Sequence, residues 1–177
     1  MMTLQQKKEA DAHYILTMLG LDWDTLQGKK ILDIGEGSPE LRECAATRGI
    51  TVIPLPIESG DIEFPYADQS FDYILSFALF PGAFPDANIV ESLFNEARRV
   101  LKNGGEFRFG PGNVYFGDEA TIPLSANETD MEKESRMKIM YERSLAFLKT
   151  LDSDIEVVAL QGEDPKLYFY HYFVSRK

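Results

Sequence analysis

Apolar positions along the chain recur with two different periods. Ala12, Ile15, Leu16 and Leu19 sit at helical spacing within residues 4 to 19, and Gly20 is a natural stop. After the polar connection LDWDTLQGKK, the run Ile31-Leu32-Asp33-Ile34 reads as a short buried strand, and Gly35-Glu36-Gly37 turns the chain. Ser38 is placed to cap the next helix, with Pro39 at its first position, where a missing N–H costs nothing. That helix carries Leu41, Cys44 and Ala45 on one face and ends near Gly49. Thr51-Val52-Ile53 begins a second strand and Phe71 to Ser76 forms another.

Asp86 is a capping residue for a helix through Leu101, whose apolar stripe runs Ile89, Val90, Leu93, Phe94, Ala97, Val100 and Leu101. Gly104-Gly105 stops it, and Glu106 to Phe109 is the next strand. Gly110 to about Asp130 is rich in Gly, Pro and acids and reads as a loop. A helix over Met131 to Leu151 follows, with Tyr141, Leu145 and Leu148 on one side. Ile155 to Leu160 and Leu167 to Val174 pattern as an antiparallel hairpin around Gly162 and Pro165.

Strands alternating with helices imply an α/β fold, a mainly parallel sheet covered on both faces. Ligands in such folds bind beyond the carboxyl ends of the strands. The 177 residues fit one domain, 1–177, with residues 1–28 as an N-terminal helical cap.

The stretch ILDIGEGSPE places two glycines directly after a strand and just before a helix. Glycine lets the backbone approach a ligand closely, and a helix N-terminus offers unpaired N–H groups. Bare G-x-G spacing suits several nucleotide-binding sheets. A nicotinamide-dependent oxidoreductase would want a third glycine where Glu40 stands, and an acid about 20 residues further on at a strand end, which is missing.

With its neighbours the motif says more. ILDIGEG resembles the first motif of class I S-adenosylmethionine (SAM) dependent methyltransferases, of the type 11-like group, with Asp33 two residues before the first glycine. FPYADQSFDYILS is similar to that family's stretch from the adenine pocket into its fourth strand, and NEARRVLKNGGEFRF to its helix running into the fifth strand. LYFYHYFVSRK resembles the last strand. The resemblance implies a Rossmann-like sheet, SAM as cofactor, and methyl transfer to an acceptor. It also implies roles: Gly35 and Gly37 would pass close to the methionine part of SAM, and Asp33 would orient the turn and the cofactor's amino group. Asp61 or Ile62 would border the adenine, and Phe77 would wall the site near the reacting methyl.

Three departures from the family pattern stand out. Pro56 falls where an acid usually holds the ribose hydroxyls, leaving Glu58 as the substitute if the chain bends back. Few residues separate Leu55 from Asp61, so one helix–strand unit is missing and about six strands are expected. Pro39 replaces a customary small residue, and Glu36 between the glycines adds a negative charge that suits either a cationic ligand group or a solvated turn. A non-catalytic binding or regulatory protein on the same fold, one that has lost full SAM binding, is therefore the alternative to an enzyme.

Composition narrows the partners. The net charge is −11 and no Lys/Arg cluster exceeds short pairs, which argues against nucleic acid. No apolar run reaches the ~20 residues of a membrane span. One cysteine, Cys44, and a first segment without a signal-peptide core fit a cytoplasmic chain. The expected partner is a small-molecule acceptor, apolar or aromatic, because Phe77-Ala78-Leu79-Phe80-Pro81 occupies the place of an Asp-Pro-Pro-Tyr type motif. His13, Tyr14, Asn113 and Tyr115 are the residues placed to approach an acceptor, and no catalytic residue is assigned. Cys44, Trp23 and His171 read as packing, and with two histidines and one cysteine no metal site is expected. The acids around Asp118, Glu119, Glu128 and Asp130 read as a solvated loop or a lid.

Overall fold

Thr3 accepts the Gln6 N–H on its hydroxyl while the Gln6 side chain accepts the Thr3 N–H, and helix α1 (Leu4–Met18) starts at this reciprocal cap. The computed structural model describes residues 2–35, 38–57, 62–80, 86–110, 129–160 and 171–177. After α1 come a single turn α2 (Trp23–Leu26), β1 (Lys30–Ile34), α3 (Pro39–Thr47), β2 (Thr51–Leu55) and β3 (Phe71–Phe77). Then follow α4 (Ala87–Val100), β4 (Leu101–Gly110), α5 (Asp130–Leu151), β5 (Glu156–Ala159) and β6 (His171–Arg176).

The six strands form one sheet in the order β2-β1-β3-β4-β6-β5. The first four are parallel, β6 runs antiparallel to β4, and β5 antiparallel to β6. This is the sheet expected from the sequence, closing hairpin included. The helix–strand unit absent from the sequence leaves β2 as an edge. Pro54 lies inside β2, and a proline without a ladder N–H is tolerated in a sheet at just such an edge.

Alternation along the central strands splits the core in two. Leu32, Ile34, Ile74, Phe107, Phe109 and Phe173 pack against α4 and α5 on one face. Ile31 and Leu75 pack against α1 and α3 on the other, with Ile15, Leu16, Leu19 and Leu41 fully or nearly fully buried. The first face is rich in aromatics: Phe80, Phe107, Phe109 and Phe173 form a continuous series with centroids 4.8–5.4 Å apart. Truncating one such ring to alanine typically costs about 3–5 kcal/mol. Cys44 and His171 are buried, as their apolar surroundings suggest. Trp23 lies under the Arg48 guanidinium, 4.5 Å from its ring centre.

Two local details differ from the sequence reading. Strand β4 begins at Leu101, directly off α4, rather than at Glu106. The glycines form an irregular excursion inside it: Leu101 pairs with Phe71, Glu106 pairs with Tyr73, and Gly104 donates its N–H to the Lys177 carbonyl at 2.7 Å. Ser38 is the N-cap residue and Pro39 the first helical one, but the Ser38 hydroxyl makes no capping bond.

Helix α1 is held down by an arginine from the sheet. Arg108 donates from Nη1 to the carbonyls of Leu19 (3.0 Å) and Gly20 (2.6 Å), groups that the helix end leaves unpaired. Gly20 has φ 64°, and a Cβ there would fall 2.1 Å from the Tyr172 hydroxyl, so only glycine suits this turn. No helix among the described residues is long and apolar enough to cross a membrane.

Candidate cofactor site

The parallel strands end level with one another. Ile34 pairs with Leu55, Asp33 with Leu75, and Phe77 with Gly110, so the ends of β1 to β4 share one rim. The Gly35 N–H donates to the Leu55 carbonyl at 2.8 Å, and the Ala78 N–H to the Gly110 carbonyl at 2.9 Å. Extending the β1–β3 register by two residues sets Phe77 beside Gly35. The two segments singled out from the sequence thus meet at one place.

Gly35 is buried and has φ 128°, a conformation that side chains resist. The next described residue, Ser38, comes back to donate its N–H to Asp33 Oδ2 at 3.1 Å. Asp33 is 2% exposed. Burial pushes its carboxyl above the usual aspartate range, and the Ser38 N–H and the Arg42 charge offset only part of that. A buried carboxylate with so little compensation favours a cationic partner.

Arg42 escaped the sequence reading. It stands one helical turn beyond Ser38, its N–H bonded to the Ser38 carbonyl at 3.1 Å. Its Nη1 is buried and has no hydrogen-bond partner among the described residues. The sequence shows an arginine beside Leu41 on a short helix, and nothing in that pattern signals burial.

On the opposite strand end, β3 passes into a tight turn. Ala78 holds φ 55°, uncommon for a residue with a Cβ, and the buried Ser76 hydroxyl accepts the Phe80 N–H at 3.2 Å. This turn sends Phe80 into the core and leaves Phe77 half-buried on the α1 side. The Tyr14 ring meets Phe77 edge-on at 6.1 Å and is 54% exposed, so these two rings form an aromatic corner at the rim. His13, next to Tyr14, is exposed.

Ile62 is half-buried against the aromatic core, at the start of a segment pinned by α4. Glu96 accepts the Phe64 N–H at 2.8 Å, and Arg99 donates to the carbonyls of Phe64 and Tyr66, each at 2.9 Å. Arg99 also pairs with Asp68 and Glu96. Pro56, exposed, follows β2 where an acid was missed in the sequence. Glu36, Gly37, Glu58 and Asp61 lie outside the described residues, as do Asn113, Tyr115, Asp118, Glu119, Glu128, Gly162 and Pro165. Among the described residues no three His, Cys, Asp or Glu side chains are grouped to hold a metal.

Residues 27–109 match the family described as "Methyltransferase domain". The matched stretch is 83 of the 177 residues, just under half of the chain. It contains β1 to β3, all of β4 but its last residue, and all the candidate cofactor residues. The six-stranded sheet is accordingly a Rossmann-like class I methyltransferase fold, shortened by one helix–strand unit.

Solved structures agree on the fold. A SAM-dependent methyltransferase from Archaeoglobus fulgidus is 13% identical, with 97% of this chain and 93% of that chain covered and a TM-score of 0.51. The pyocyanin biosynthetic protein PhzM is 15% identical, covering 96% of this chain and 55% of its own, with a TM-score of 0.56. Phosphoethanolamine N-methyltransferase 2 of Haemonchus contortus, in complex with phosphomonomethylethanolamine and S-adenosylhomocysteine, is 17% identical, with 95% and 53% covered and a TM-score of 0.52. The chain spans about half the length of the last two. No curated protein matches the sequence.

Proposed function

We propose that the chain is a SAM-dependent methyltransferase acting on a small-molecule acceptor. The observation that carries this reading is the under-compensated Asp33 carboxylate, buried at the end of β1 beside a glycine whose backbone conformation excludes side chains. The methyltransferase-domain match and the structural neighbours support SAM as the cofactor.

In this reading Asp33 holds the ammonium group of the cofactor's amino-acid tail, and Gly35, with Glu36 and Gly37, borders that tail. Ile62, with Asp61, borders the adenine, Glu58 takes the ribose side, and Phe77 walls the methyl. When bound, SAM supplies a methyl carbon on a positively charged sulfur that leaves readily. The chain's own residues then orient the acceptor in line with that carbon and keep water out, which is where most of the rate comes from. The Tyr14–Phe77 corner presents apolar ring surface to an acceptor at the rim.

The net charge of −11 opposes a phosphate-backbone substrate and favours a small neutral or cationic acceptor. Cytoplasmic placement is part of the same reading. A non-catalytic role on this fold draws on one observation, Pro56 in the place of the ribose-binding acid.

Thermal stabilisation separates the outcomes. SAM or S-adenosylhomocysteine at ~100 times its dissociation constant should stabilise the protein by about 2.7 kcal/mol. Stabilisation with transfer of labelled methyl to an acceptor supports the enzyme. Stabilisation without transfer across amine, phenol and thiol acceptors leaves the cofactor assignment standing and the acceptor wrong, and no stabilisation at millimolar ligand overturns the enzyme and favours the non-catalytic role.

A further inference from the structure

Arg42 poses a separate physical problem. A guanidinium nitrogen that is buried without an acceptor has lost its water and gained nothing in return. Its charge is nonetheless near enough to draw the Asp33 carboxyl downward, and no other charged side chain among the described residues does so. The two side chains form no ion pair.

Their placement is fixed by the backbone between them. Ser38 gives its N–H to Asp33 and its carbonyl to the Arg42 N–H, so the first turn of α3 links the Asp33 carboxylate to the Arg42 backbone. One group seeks a cation and the other seeks an anion. The ligand chemistry that satisfies both is an α-amino acid group, with ammonium and carboxylate on one carbon.

We infer that Arg42 receives the α-carboxylate of the cofactor's amino-acid tail through Nη1, while Asp33 receives the ammonium. The inference rests on the proposed cofactor and adds the residue that makes the site select an intact tail. A charge-assisted bond from a guanidinium nitrogen shut off from water is the strong kind, and an Arg cannot shed its proton to escape the cost of burying that nitrogen.

The experiment compares S-adenosylhomocysteine with its decarboxylated analogue, S-adenosyl-3-thiopropylamine, by calorimetric titration of wild type, Arg42→Met and Arg42→Lys. Arg42→Met should weaken S-adenosylhomocysteine by about 30-fold and the decarboxylated analogue by less than about twofold. Arg42→Lys, which keeps the charge and loses the fork, should fall between. Melting of Arg42→Met should match or exceed that of wild type, since the nitrogen removed has no partner to lose.

Equal weakening of both ligands, or no weakening of S-adenosylhomocysteine, overturns the assignment of Arg42 while leaving the cofactor reading intact. Failure of wild type to bind S-adenosylhomocysteine at all overturns both together.

Discussion

Two carboxylates in the methyltransferase segment, Asp33 and Glu96, live in opposite circumstances. Glu96 accepts the Phe64 N–H and two bonds from Arg99, and Arg99 goes on to tie down the Phe64 and Tyr66 carbonyls and Asp68. Asp33 accepts the Ser38 N–H at 3.1 Å, although it is far more deeply buried. The Arg99 bonds, chiefly, hold Glu96 below the usual glutamate range, whereas burial lifts Asp33 above its own. The comparison separates two kinds of motif residue. Glu96 and Arg99 are a lock that shapes the segment leading to Ile62, and their valences are used up inside the protein. Asp33 accepts one bond among the described residues, and the proposed cofactor reading draws on its remaining capacity.

The sharpest test of that contrast is stability. Arg99→Ala strips partners from two backbone carbonyls and a carboxylate. Water reaches part of this network, so the loss should be about 2 kcal/mol, or roughly 4–8 °C in Tm for a chain of this size. Asp33→Asn should behave oppositely. An amide oxygen still accepts the Ser38 N–H and costs less to bury than a carboxylate, so Tm should hold or rise. A fall in Tm for Asp33→Asn as large as that for Arg99→Ala would erase the distinction.

A smaller effect is expected from pH. Glu96 has a lowered folded-state pKa, so its stabilisation is present above the ordinary glutamate value and drains away as pH falls through the folded one. Asp33 has a raised pKa, so its contribution is fullest below the ordinary aspartate value and is lost as pH rises through the folded one. The Asp33→Asn variant should therefore lose less stability than wild type between mildly acidic and neutral pH, measured by denaturant titration at each pH. Identical pH profiles would contradict the lifted carboxyl.

Much of the architecture was legible because period carries it. Ile31 and Leu32, or Ile74 and Leu75, are neighbours in sequence but face different helical layers, which explains why these strands read as continuous apolar runs. The missing helix–strand unit was visible as a short gap, and Pro54 is a second sign of the same edge that went unread. The start of β4 was misplaced because the glycine pair resembles a stop. Its residues enter the sheet through a tertiary bond to Lys177 that no local pattern displays.

The candidate site was legible only in part. Asp33, Gly35 and Phe77 are where adjacent parallel strands end, a position that a sequence reader can infer. Arg42 depends on tertiary burial, and the Tyr14–Phe77 corner on α1 lying over β3, held by Arg108 at its far end. Neither has a spacing signature.

Calorimetric titration of the wild-type protein and Asp33→Asn with S-adenosylhomocysteine tests the central claim most directly. The account predicts one site with a dissociation constant on the order of micromolar or tighter in the wild type, weakened by about 100-fold or more in the variant. No binding heat at millimolar ligand, or equal binding by the two proteins, would contradict it.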